Sequence, residues 1–100
     1  MNLIGKFYVH YMCETYRTGK VEGEILPGLL LVRNDWMVVR DGEDVPPSPT
    51  SLLDIRGLAA CCSPNEYFIE FFETRKSLNE YVVWMDKPRY PKPATVTKIH

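Results

Sequence analysis

Lys6 to Tyr16 reads KFYVHYMCETY, and it constrains the fold more than any other stretch because both of its alternating faces are apolar. Phe7, Val9, Tyr11 and Cys13 fall on one side, with Tyr8, His10 and Met12 on the other. Aromatic and β-branched residues at this density favour a strand, and both faces of that strand call for cover. Arg17-Thr18-Gly19-Lys20 comes next, with a glycine where a hairpin needs a positive φ. Val21, Gly23 and Ile25 then alternate with Lys20, Glu22 and Glu24 in a return strand. The first hairpin is therefore expected to turn at residues 17–20.

Leu26-Pro27-Gly28 is a turn by composition. Two short strands, Leu29 to Arg33 and Trp36 to Arg40, are expected to pivot at Asn34-Asp35; one continuous strand bulged there is the alternative. Residues 42–50, GEDVPPSPT, hold three prolines and two acids, and are expected to be an exposed loop joining two halves of one domain. Thr50 or Ser51 is then placed to cap a short helix with Leu52, Leu53, Ile55, Leu58, Ala59 and Cys62 on its apolar face. Gly57 weakens that helix by roughly 1 kcal/mol relative to alanine.

The phrase Ser-x-Asn-Glu-Tyr occurs twice, at Ser63 to Tyr67 and Ser77 to Tyr81, and each copy carries the S-x-x-E pattern of a helix capping box. One long helix from Pro64 to Met85 would gather Tyr67, Phe68, Phe71, Phe72, Leu78, Val82 and Met85 on a stripe. It would also bury Arg75 and Asn79 in that stripe and turn Ile69 and Trp84 away from it. Tyr67 to Glu73 and Tyr81 to Asp86 have strand composition as well. Two successive elements, broken near Thr74 to Ser77, are therefore expected, with a helix in at least one copy or paired strands in both. Lys87-Pro88-Arg89-Tyr90-Pro91-Lys92-Pro93 stops any helix and favours extended conformation, after which Ala94 to Ile99 forms a last edge strand or a frayed terminus.

The fold class that results is α+β: a single domain over residues 1–86, with an antiparallel sheet of three to five strands mainly in residues 4–40. One or two helices from residues 51–86 pack on it, and a basic proline-rich tail spans 87–100. A chain of 100 residues that is 45% apolar and 12% aromatic can bury its own core. Its purely apolar runs, Leu29 to Val32 among them, are far short of the roughly 20 residues of a membrane span. The segment Met1 to Lys6 lacks the features of a secretory signal, so a soluble, cytoplasmic chain is expected.

Little in the chain points to catalysis. Cys13, Cys61 and Cys62 are an odd number of thiols, read as reduced and buried rather than paired. His10, Cys13 and Glu14 contain the parts of an activated nucleophile, but His10 and Cys13 point to opposite faces of a regular strand. Cys61-Cys62 lacks a neighbouring cation to activate it. Glu66, Glu70, Glu73 and Glu80 read as solvated helix surface, and Gly19-Lys20-Val21-Glu22-Gly23 lacks the spacing of a phosphate loop. No catalytic residue, metal ligand or cofactor is expected.

Charge is uneven: all thirteen acids lie before Lys87, while Lys87, Arg89, Lys92 and Lys98 stand in the tail without one. By elimination the expected function is a non-enzymatic protein-binding module, an inhibitor, immunity protein or adaptor of the kind phages and mobile elements encode. Tyr81, Trp84, Arg89 and Tyr90 are the candidate contact residues, because aromatic residues and arginine dominate interface hot spots; burial of Trp84 in the core is the competing reading. Pro88-Arg89-Tyr90-Pro91 also fits a Pro-x-x-P spacing. The alternatives are a nucleic-acid-binding accessory protein using the basic tail and a cysteine-dependent enzyme. Homodimerisation is compatible with all of these.

Overall fold

The two-faced segment becomes an interior strand. In the structure, a computed structural model that describes residues 2–39, 44–58, 66–86 and 91–99, β1 (Phe7–Met12) lies between β2 (Thr15–Leu26) and β6 (Tyr67–Phe72), antiparallel to both. Beyond β2 lies β3 (Leu29–Val38), whose outer edge is shared by β4 (Asp44–Val45) and β5 (Thr50–Asp54). Beyond β6 lies β7 (Thr97–Ile99), the edge strand that Ala94 to Ile99 suggested. One helix, α1 (Arg75–Asp86), completes the described elements. The α+β class holds, but among the described residues seven antiparallel strands replace the expected three to five.

The first hairpin turns earlier than its glycine implied. Met12 pairs with Thr15, leaving Cys13 and Glu14 as a two-residue loop with φ of 45° and 69°, the geometry that matches strand twist. Gly19 instead lies inside β2, where what matters is space. A Cβ there would meet the Arg33 carbonyl oxygen at 2.1 Å and the Tyr8 ring at 2.9 Å. Tyr8 pairs with Gly19 and extends across it, and its hydroxyl donates to Asn34 Oδ1 in β3. The turn at Pro27-Gly28 is where composition placed it, with Gly28 at φ 82°.

The pivot at Asn34-Asp35 is a bulge in one continuous strand. Gly19 pairs with Asn34 and Thr18 with Trp36, so Asp35 is the extra residue. Asn34 points into the core, and Asp35 and Trp36 then both emerge on the opposite face. Asp35 is held there by the Thr18 hydroxyl at 2.6 Å and by the Arg75 guanidinium.

Asn34 also directs the path of the chain after β4. Its amide N–H donates to the Pro49 carbonyl at 2.9 Å, and its Nδ2 donates to the Ser48 carbonyl at 2.8 Å and to Ser51 Oγ at 3.0 Å. The chain is thereby drawn along β3 as a strand, and the helix expected from Thr50 or Ser51 does not form. Leu53 is buried while Leu52 and Asp54 are exposed, the alternation of a strand. Asp44-Val45 pairs with Met37-Val38, so the expected loop over 42–50 is partly strand. Pro46 to Pro49 interrupt a single return path, since these four residues stand opposite three, Asn34 to Trp36. Ala59 and Cys62 of the expected helix lie outside the described residues.

The two Ser-x-Asn-Glu-Tyr copies lead to different structures, with the break near Thr74 where expected. After the first copy, whose Ser63 to Asn65 lie outside the described residues, Tyr67–Phe72 is a strand. In the second, the cap is Thr74, whose Oγ1 accepts the Ser77 amide N–H at 3.1 Å. The helix thus begins two residues before Ser77, and the expected box from Ser77 to Glu80 is replaced by the Thr74 cap. Glu66, Glu70 and Glu73, read as helix surface, lie outside α1, and Glu70 is wholly buried in β6.

The sheet separates two apolar clusters. Val9, Phe68 and Phe72 pack under Leu78, Tyr81 and Val82 of α1. On the other face Tyr8, Val21, Leu30, Val32, Leu53 and Phe71 form the larger cluster, closed by Leu3 and Leu58. Each fully buried side chain such as Phe72 or Leu30 contributes about 1.5–3 kcal/mol. At the margin of the larger cluster His10 and Arg17 are cross-strand partners, and Arg17 Nη1 donates to Ser51 Oγ at 3.0 Å.

Burial first, and the Arg17 charge second, push the His10 imidazole down from 6.5 to about 4. The unfolded chain takes up that proton near pH 6.5, whereas the folded protein resists it until about pH 4. Stability is therefore expected to fall as pH drops between these values, with His10 accounting for about 3 kcal/mol of the loss. Urea unfolding of His10→Gln between pH 7 and 4 should show a correspondingly flatter pH dependence than the wild type; an unchanged slope would remove His10 as the cause.

Candidate functional site

The outer face of the sheet is only partly covered by α1, and a cleft of about 440 Å³ opens between the C-terminal half of the helix and β1 to β4. Its floor is aromatic. Tyr11 stacks on Phe68 at 5.0 Å, while Tyr16 and Trp36 meet edge to face with centroids 5.9 Å apart. The bulge at Asp35 brings Trp36 to this face, because strict alternation after the inward Asn34 would have turned it into the core. The helix supplies Val82, Val83 and Met85 as the opposite wall. Val83 is 69% exposed and Trp36 38%, so apolar surface remains open to solvent.

Carboxylates ring this floor. Asp44 accepts the Trp36 indole N–H at 2.8 Å, Asp86 ends the helix, and Glu14 stands in the β1–β2 turn. No lysine or arginine is among the described lining residues. The field is felt at Tyr16, whose pKa is raised by burial and then by the charges of Asp86 and Asp44. A neighbouring hollow of about 430 Å³ shares Tyr11 and Glu14 and adds Cys13 and Glu66. Aromatic faces beside carboxylates favour cations, both through the ring quadrupole and through direct charge attraction.

The chemistry weighed from the sequence does not assemble here. Cys13 is a free thiol in the turn, half-buried, with its Sγ 3.6 Å from the Tyr67 hydroxyl. His10 belongs to the other face of β1. No group of three His, Cys, Asp or Glu could hold a metal ion among the described residues, nor is any described helix long and apolar enough to cross a membrane. Cys61 and Cys62 lie outside the described residues.

Of the four residues read as partner contacts, Tyr81 is 1% exposed, with its ring 5.2 Å from Phe72, and Trp84 is half-buried 5.6 Å from Tyr81. Arg89 and Tyr90 lie outside the described residues. Beside Tyr81 and Trp84 the tail returns to the fold: Lys92 Nζ lies 2.7 Å from Glu70 Oε1 and above both rings, at 5.3 and 5.9 Å. Tyr16, Trp36, Asp44 and Asp86 are not singled out by the sequence. The signal for them is the pivot at Asn34-Asp35, which on its own speaks only of strand geometry.

Comparison with family models, curated proteins and solved structures returned no match.

The electrostatic description of the cleft is checked by titrating Tyr16. Asp86→Asn and Asp44→Asn should each lower the Tyr16 pKa, and the double variant should leave only the rise due to burial. Ultraviolet difference titration of the phenolate, with Tyr16→Phe to assign the transition, measures this. An unmoved Tyr16 in the double variant would show that the carboxylates do not act on the floor.

Proposed function

We propose that this chain is a small protein-binding module that engages a basic segment of another protein in the cleft between α1 and the outer face of β1 to β4. The observation that carries this reading is the composition of that cleft: exposed aromatic surface from Tyr16 and Trp36, edged by Asp44 and Asp86. An arginine or lysine side chain entering it would lie against the rings while its charge approached a carboxylate. Trp36 and Tyr16 are the residue types that dominate binding energy when desolvated at an interface. Val83 extends the apolar surface beyond the rim. The role is that of an inhibitor, immunity protein or adaptor acting in the cytoplasm, without catalysis of its own.

Nucleic acid is the weaker alternative. The cleft repels phosphate, and two of the four tail cations are engaged within the fold, Lys92 with Glu70 and Lys98 4.5 Å from the centre of the Phe68 ring.

Fluorescence titration of the full-length protein with an arginine-rich and a glutamate-rich peptide, at low and high salt, tests the proposal. The basic peptide should bind, weaken with salt, and lose about tenfold or more in affinity in Asp44→Asn/Asp86→Asn; the acidic peptide should not bind. Absence of binding at low salt, or equal binding by the double variant, overturns the cleft as the site. Salt-sensitive binding of a DNA duplex unaffected by the double variant would move the function to the tail.

A further inference from the structure

Glu70 is an unusual residue to find where it is. It sits in the middle of β6 at 0% exposure, between Ile69 and Phe71, which are equally buried, and across from Val9. A carboxylate withdrawn from water needs a matched cation, since desolvation otherwise outweighs what the surroundings return. The described cation at Glu70 is Lys92, whose ammonium lies 2.7 Å from Oε1. That ammonium is also 5.3 Å from the centre of the Tyr81 ring and 5.9 Å from that of Trp84. One carboxylate and two aromatic rings around one ammonium form a cation cage.

The segment that delivers Lys92 is anchored at Val96 and Ile99, which pack half-buried against the larger cluster, whereas the stretch that carries Lys92 itself is held lightly. None of the residues 91–99 is buried, whereas β6, which they cover, has Phe68 to Phe72 buried throughout. Its main-chain hold is the short β7 ladder, Thr97 to Ile99 against Ile69 to Phe71, with one further bond from the Val96 amide to the Phe71 carbonyl at 2.6 Å. Lys98 pairs with Glu70 in this ladder and lies over the Phe68 ring at 4.5 Å. Both lysines thus reach the helix-side face of β6, on the opposite side of α1 from the acidic cleft. The arrangement is that of an edge-added strand whose side chains enter prepared pockets, made here by the chain with itself.

We propose that Glu70, Tyr81 and Trp84, with the outer edge of β6, form a binding site for an extended lysine-bearing segment of another protein, and that Lys92 is its resident, displaceable occupant. The site is distinct from the acidic cleft, so either can fail without the other. The resident segment competes by being tethered, which raises its local concentration to the order of millimolar. An incoming segment binds when it supplies a lysine for Glu70 together with the strand pairing that β7 now makes.

The test uses full-length protein carrying Lys92→Gln, with a fluorescent peptide of residues 91–100 as probe. Removing the resident ammonium should raise the affinity for the peptide by about tenfold or more over the wild type, and a peptide with glutamine in place of its lysine at position 92 should show no such gain. Equal affinity of the two proteins, or a gain that survives loss of the peptide lysine, overturns the proposal. Should Lys92→Gln fail to fold, its thermal transition is followed with added n-butylammonium chloride. Recovery with that salt but not with sodium chloride or butanol supports a lysine cage; no recovery overturns it.

Discussion

The crossing of Tyr8 over Gly19 to Asn34 is the contact on which the sheet depends. It spans three strands with one side chain, and it exists because β2 presents no side chain at position 19. Burial pushes the Tyr8 phenol up to about 12, so it remains a donor at neutral pH. Asn34, held from one side by Tyr8, turns its amide nitrogen outward to Ser48 and Ser51 and so recruits the return path along β3. A buried polar contact of this kind specifies register as much as it stabilises, because a one-residue slip would leave every member unsatisfied.

The consequence on the other face is the candidate site. With Asn34 fixed inward, the extra residue Asp35 is accommodated as a bulge, pinned by Thr18 and Arg75. Trp36 then joins Tyr16 on the outer face rather than entering the core. The cleft is thus built from the core side: what is decided around Asn34 determines which aromatic rings face α1 and the solvent. At the other end of the sheet a comparable dependence links Glu70 to Lys92, where a buried carboxylate is paired with a cation from a segment none of whose residues is buried.

Much of this is legible in the residues. The two apolar faces of KFYVHYM place β1 inside the sheet with both sides covered, and the misfit of Arg75, Asn79 and Trp84 places a break before the helix. The pattern around Gly19 misleads because a local motif reports φ freedom and says nothing of a ring arriving from a neighbouring strand. Leu52, Leu53, Ile55 and Leu58 suit a helix by spacing, and the bonds from Asn34 that pull Thr50–Asp54 into the sheet come from a distant part of the chain. The cleft is invisible in the sequence for the same reason. Tyr16, Trp36, Asp44 and Asp86 sit on four different elements and meet only after the bulge has set their faces.

Because both the strand register and the cleft rest on the contact between Tyr8 and Asn34, a double-mutant cycle measures their common origin most directly. Urea unfolding of Tyr8→Phe, Asn34→Ala and the double variant should give a coupling of about 1–2 kcal/mol, the range of a buried hydrogen bond whose loss leaves a partner unsatisfied. Additive effects, with coupling below about 0.3–0.5 kcal/mol, would show that the crossing does not hold the strands in register and that the cleft does not depend on it.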